Sequence, residues 1–171
     1  IGNLKHQQPT WNANAGPCTV IGAGGGGRAV VYGLLREGAR EIRLVNRTES
    51  KAVKIASDLG RGVTVYPWKE RHSLLEGAAT VVNVTNQGMV GEPALDINLD
   101  KLSPDALAAD IIYTPLASPF LAAASERQNK TVNGLGMLLH QGPPAWKKWF
   151  GLEPIVTEEL EKMMVESISE D

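Results

Sequence analysis

The chain has 171 residues, enough for one domain with a substantial core, since a chain near 150 residues buries about 70% of the surface its unfolded form exposes. Its 17 basic and 19 acidic side chains leave a formal net charge of −2, which argues against nucleic acid or an anionic membrane as a partner. The lone Cys18 cannot form an internal disulfide, no stretch approaches about 18 uninterrupted apolar residues, and the opening IGNLKHQQPTWNANAGP lacks a signal peptide's apolar core, so a soluble cytoplasmic protein is expected.

Residues 1–17 read as a leading helix or linker. The apolar run Thr19-Val20-Ile21 predicts a buried parallel strand. It feeds Gly22-Ala23-Gly24-Gly25-Gly26-Gly27, after which 29–37 has helical spacing and Gly38 is placed to end the helix. A second strand then closes at Asn46-Arg47-Thr48. Strand, glycine turn, helix and strand together are the pattern of a dinucleotide-binding unit, in which Gly22 makes the tight turn, Gly24 lets backbone approach the pyrophosphate, and Gly27 lets helix and strand pack closely. The helix N-terminus favours an anion there, and Arg28 is placed to add charge. An acidic residue about twenty positions past the glycines would take the ribose hydroxyl of NAD; Arg47 stands there instead, which points to the 2′-phosphate of NADP.

Beyond Thr48, strands and helices alternate, as in an α/β sheet covered on both faces. Residues 49–59 form a helix closed by Gly60, 63–66 a short strand, 68–75 a short helix and 79–84 a strand. That strand ends in the polar turn Thr85-Asn86-Gln87-Gly88-Met89, at the sheet edge where open α/β sheets bind ligands. Residues 90–105 read as a long surface loop, of the kind that is usually functional or mobile. A buried strand follows over 108–113, then a helix over 119–128, a strand over 130–132, and a turn at Gly134-Leu135-Gly136 into a helix near Met137 that Gly142-Pro143-Pro144 interrupts. The expected fold is a three-layer, Rossmann-type doubly wound parallel sheet forming a single domain over 1–171, with carboxyl-terminal helices over 135–171.

Five segments in order, VIGAGGGGRAV, VNRT, NVTNQGMVGEP, DIIYTPLASPFL and VNGLGMLLHQ, resemble the NADP-binding half of shikimate dehydrogenases across nearly the whole chain. The resemblance implies an NADPH-dependent oxidoreductase that reduces 3-dehydroshikimate to shikimate in aromatic amino-acid biosynthesis. It implies cofactor contacts from Gly22, Ala23, Gly24, Gly25, Gly26 and Gly27, a phosphate clamp of Asn46, Arg47 and Thr48 with Lys51 nearby, and further cofactor contacts from Thr85, Ile111, Gly134 and Met137. Tyr113 and Gln141 match residues that reach the substrate. Ile111 stands where a Met is expected, an exchange of one apolar side chain for another.

The family's substrate domain, with its Ser-rich site and catalytic Lys and Asp, has no counterpart in this sequence, and Lys5, Lys69 and Asp110 match neither motif. No catalytic residue is therefore assigned, and His6, His72 and His140 lack metal-ligand spacing, so no metal is assigned. A chain opening Ile1-Gly2-Asn3-Leu4 is expected to be the cofactor part of a longer enzyme, inactive alone. Apolar residues on its terminal segments (Ile1, Leu4, Leu138, Leu139, Trp146, Trp149) suggest self-association. Alternatives are a quinate/shikimate dehydrogenase of broader specificity, an NADP domain of the methylene-tetrahydrofolate or glutamyl-tRNA reductase type, and a non-catalytic nucleotide-sensing module.

Overall fold

The computed structural model describes residues 1–169; residues 170 and 171, at the end of the expected carboxyl-terminal segment, lie outside the described residues. A short helix α1 (Gly2–Gln7) leads into β1 (Cys18–Ile21), α2 (Gly25–Arg36), β2 (Ile42–Val45), α3 (Glu49–Leu59) and β3 (Val63–Tyr66). Two 3-10 turns, Trp68–Glu70 and Ser73–Leu75, precede β4 (Thr80–Asn83) and β5 (Leu107–Asp110). The chain finishes with α4 (Pro119–Glu126), β6 (Lys130–Val132), α5 (Leu135–Phe150) and α6 (Glu158–Ser169).

The six strands are all parallel, in the order β3-β2-β1-β4-β5-β6. That is the doubly wound Rossmann arrangement, with the reversal of strand order between β1 and β4 opening a crevice at the strands' carboxyl ends. Alternate side chains of the central strands serve opposite faces. Val20, Leu44 and Val82 pack with Val31 and Leu34 of α2 and Ile55 of α3, whereas Ile21, Val45 and Val81 pack with Phe120 and Leu121 of α4 and with Leu74 and Leu75. Cys18 is fully buried, and that burial pushes its thiol up to about 11, so it is a protonated packing residue.

Several expectations change. Helix α2 begins at Gly25, four residues before the apolar spacing starts, because its first turn is glycine and faces a ligand site in place of a core. The strand expected over 108–113 stops at Asp110; the next residues turn away, with the Ile112 amide donating to the Asp110 carboxylate at 3.0 Å. The helix expected over 68–75 is two separate 3-10 turns, the strand over 79–84 shortens to Thr80–Asn83, and α4 ends at Glu126. The loop at 90–105 is anchored, since Leu95, Leu99 and Leu102 are buried in the second core and occupy the place of a covering helix. Helix α5 runs uninterrupted through Pro143 and Pro144 to a left-handed cap at Gly151. The prolines remove two amide donors, but the turns before and after them keep the helix continuous.

Residues 1–7 are part of the domain and not a linker. The Asn3 amide donates to the Asn133 carbonyl at 2.6 Å, Leu4 is buried in the first core, and Ile1 fits against Gly33 of α2. Two of the six residues expected to drive self-association, Ile1 and Leu4, are thus covered within the chain, while Trp146 and Trp149 on α5 remain exposed.

Helix α2 and the turn that ends β1 meet backbone to backbone. A Cβ on Gly27 would sit 2.5 Å from the Gly22 carbonyl oxygen, backbone against backbone, whereas one on Gly25 would meet open space. Gly27→Ala is expected to lower unfolding free energy by about 1–2 kcal/mol, overpacking outweighing alanine's helix preference, with Gly25→Ala neutral or slightly stabilising. Parallel urea denaturation of the two variants checks this; equal stabilities would show that the joint tolerates a side chain.

Candidate functional site

Every segment singled out in the sequence emerges at the carboxyl edge of the sheet. The end of β1 turns at Gly22, whose φ of 117° and whose closeness to Thr85 Cγ2, 2.9 Å from a Cβ placed there, both require glycine. Gly24 caps α2, and at Gly24 and Gly25 a Cβ would meet nothing within 4 Å. The helix therefore presents its unpaired N–H groups to open space with no side chain in front of them.

At the end of β2, Asn46 holds the turn from both sides: its Oδ1 accepts from the Ala23 amide at 3.0 Å and its Nδ2 donates to the Thr48 carbonyl at 2.8 Å. Asn46 thus fixes the glycine turn against the following loop. Arg47, Thr48 and Lys51 are exposed beside it, and neither Arg47 nor Lys51 forms an ion pair among the described residues. Arg28 does not point charge at the turn as expected: its guanidinium pairs with Asp58 of α3 at 2.6 Å and holds that exposed carboxyl below its usual range. Thr85 lies across the crevice, where its hydroxyl donates to Asn83 Oδ1 at 2.8 Å.

Two clefts share this edge. One, of about 240 Å³, lies between the glycine turn, Asn46, Arg47, Thr85 and Trp68. The other, of about 320 Å³, brings together Gly26, Ile111, Met137 and Gln141 from three separate segments, and α1 closes it with Ile1 and Asn3. Gly134 is glycine because a Cβ there would overlap the Ile111 carbonyl, which seats the start of α5 directly on the loop after β5. Tyr113 is exposed outside this cleft, so the structure does not join it to Gln141.

Beneath the edge lies a polar cluster that sequence reasoning passed over. Asp110, 3% exposed, accepts from Asn83 Nδ2 at 3.1 Å, from the Ile112 amide and from the Ser118 hydroxyl at 2.6 Å, and Ser118 Oγ in turn caps α4 by accepting from the Leu121 amide. One carboxylate therefore joins the end of β4, the loop after β5 and the start of α4. The signal was an acidic residue ending an apolar strand. His6 and His140, far apart in sequence, also meet edge to face across α1 and α5 with ring centres 5.7 Å apart, but no group of three metal-ligating side chains occurs among the described residues.

Residues 6–90 match the family model described as shikimate / quinate 5-dehydrogenase. The NADP(+)-dependent shikimate dehydrogenase of Paracoccus denitrificans is 46% identical over 96% of this chain and 58% of its own length. The chain is similar to shikimate dehydrogenases along almost its whole length. Among solved structures, quinate dehydrogenase from Corynebacterium glutamicum in complex with NAD superposes with a TM-score of 0.84 at 26% identity, over 99% of this chain and 60% of that one. Shikimate 5-dehydrogenase from Thermus thermophilus in complex with NADP(H) and shikimate gives 0.72 at 31% identity, over 91% of this chain and 55% of that one. The chain thus spans a little over half the length of these family members.

Burial raises the folded-state pKa of Asp110 above its ordinary 3.8, against the opposing pull of its hydrogen bonds from Ser118, Ile112 and Asn83. The folded chain binds this proton more tightly than the unfolded chain, so the associated stabilisation is complete below the ordinary value and is lost as pH rises through the raised one. Asp110→Asn is therefore expected to gain stability relative to the parent between pH 4 and 7, measured as the difference in urea midpoints. Asp110→Ala, which orphans three donors at once, is expected to cost about 2–4 kcal/mol throughout that range.

Proposed function

We propose that this chain is the NADP(H)-binding part of a shikimate dehydrogenase, which reduces 3-dehydroshikimate to shikimate with NADPH. The observation that carries the proposal is the bare glycine cradle at the start of α2 standing beside the exposed guanidinium of Arg47, which forms no ion pair among the described residues. A pyrophosphate fits the first feature, because open space faces Gly24 and Gly25 and the helix end is electropositive. A 2′-phosphate fits the second, because a guanidinium can donate two parallel hydrogen bonds to it.

Within that reading, Gly22 to Gly27 carry the phosphates, Asn46 orders the turn, and Arg47, Thr48 and Lys51 take the 2′-phosphate, with Thr85 on the facing wall. Ile111, Gly134 and Met137 form the seat of the nicotinamide end, and Gln141 and Tyr113 belong to the substrate side. When bound, NADPH supplies the hydride. The chain's own part is to orient the ring and shield it, through the apolar side chains of Ile111 and Met137. Proton transfer to the substrate oxygen is assigned to none of its residues. No carboxylate stands at the end of β2 before Glu49 to take the ribose hydroxyls of NAD, which disfavours an NAD-linked quinate dehydrogenase. No helix among the described residues is long and apolar enough to cross a membrane.

Calorimetric titration of the chain is expected to show NADPH binding at least tenfold more tightly than NADH, a difference of about 1.4 kcal/mol. Arg47→Ala should cost NADPH about 1.5–3 kcal/mol and leave NADH nearly unchanged. Equal losses for both nucleotides would remove Arg47 as the reader of the 2′-phosphate. Self-association rests, in this reading, on the exposed Trp146, Trp149 and Phe150 of α5. Sedimentation at high concentration is expected to show a dimer that Trp149→Ser abolishes; a monomer throughout would reject that part of the proposal.

A further inference from the structure

We infer that Trp68 forms the aromatic wall of the subsite for the purine base, an inference that rests on the nucleotide reading above. β3 runs parallel to β2 with Tyr66 beside Val45, so the residues following each strand come out together at the carboxyl edge. Asn46 and Arg47 follow one strand, and Trp68 follows the other. Trp68 accordingly lines the same cleft as Arg47, Gly24 and Thr85.

The indole is held in place before any ligand arrives. The Arg71 guanidinium lies over it at 4.9 Å from the ring centre, and Arg71 Nη1 donates to the carbonyl of Trp68 at 3.1 Å. Arg71 is itself tied down, its Nε donating to the Asp96 carbonyl at 2.6 Å and its Nη2 paired with the Asp96 carboxylate. Trp68 also packs against the second core. A half-buried ring fixed in this way loses little freedom when a second planar group stacks on it.

The ligand's connectivity decides what that group is. A 2′-phosphate on Arg47 and a pyrophosphate at the start of α2 place the shared ribose in this cleft, so the attached base lies in it as well. The other lining groups here are backbone, short aliphatic side chains or polar groups, and the indole supplies the flat apolar surface that a purine prefers.

The test is to titrate adenosine 2′,5′-bisphosphate and NADPH into the chain and its Trp68→Ala and Trp68→Phe variants, following both heat and tryptophan fluorescence. Trp68→Ala is expected to weaken both ligands by about tenfold, and Trp68→Phe by about threefold or less. The bisphosphate is expected to quench the parent's fluorescence and to leave Trp68→Phe unquenched. The remaining tryptophans are remote from the cleft: Trp11 donates to Thr80 at the amino end of β4, and Trp146 and Trp149 are on α5. Parental affinity in Trp68→Ala, or quenching that persists in Trp68→Phe, would overturn the inference while leaving the nucleotide reading intact. Should Trp68→Ala fail to fold, the fluorescence of Trp68→Phe decides alone. Absence of binding to the parent chain would overturn both.

Discussion

The close approach of α2 to the end of β1 is the constraint on which the site depends. Gly27 rests on the Gly22 carbonyl with no room for a side chain, and Gly22 is wedged against Val84 and Thr85 of the neighbouring strand's loop. Because this contact is backbone to backbone, it fixes the direction of the helix axis and brings the helix N-terminus over the crevice. The anion-attracting end of α2 and the opening between β1 and β4 are consequences of the same steric fact. Where a ligand would approach, at Gly24 and Gly25, the glycines face open space, so a single run of glycine meets two opposite demands.

The loops that complete the edge are fastened by buried or half-buried polar side chains. Asn46 ties the glycine turn to the loop after β2, Asp110 ties the loops after β4 and β5 to α4, and Asn3 ties α1 to the turn before α5. Asn129 does the same on the far side, donating to the carbonyls of Ser103 and Ala106 that end the long loop. An isolated buried polar group is costly, whereas one satisfied by several backbone partners is rigid and specific. The two clefts therefore have walls that are largely formed in advance of any ligand.

The two faces of the sheet are built differently. One is covered by full helices whose apolar residues recur every three or four positions; the other has α4, two 3-10 turns and an irregular segment that buries three leucines. The first face supports the glycine cradle. The second carries Trp68 and Arg71 to the same edge, so the cleft beside Arg47 draws its floor from one layer and its aromatic wall from the other.

Much of this was written in local sequence. The alternation of β-branched runs with helical periodicity set out the order of strands and helices, because burial on both faces demands continuous apolar strands. The glycine run and Arg47 were legible because their chemistry depends on residue type and short spacing. What local sequence left open was wherever distant groups had to meet. It extended β5 past Asp110, since Ile111 and Ile112 are as apolar as a strand and nothing nearby reveals that Asn83 and Ser118 converge on that carboxylate. It broke α5 at two prolines whose lost bonds the flanking turns outlast. It offered Arg28 to the phosphates, although Asp58 of the adjacent helix claims it, and it left Trp68 without a role, since only the parallel register of β3 on β2 carries that ring to the mouth of the cleft. The sequence alone determined the elements and the cradle because those follow from conformational preference and spacing within a few residues. The tertiary structure alone decided the partners of charged and polar side chains, because pairing depends on distances between segments that local preference does not encode.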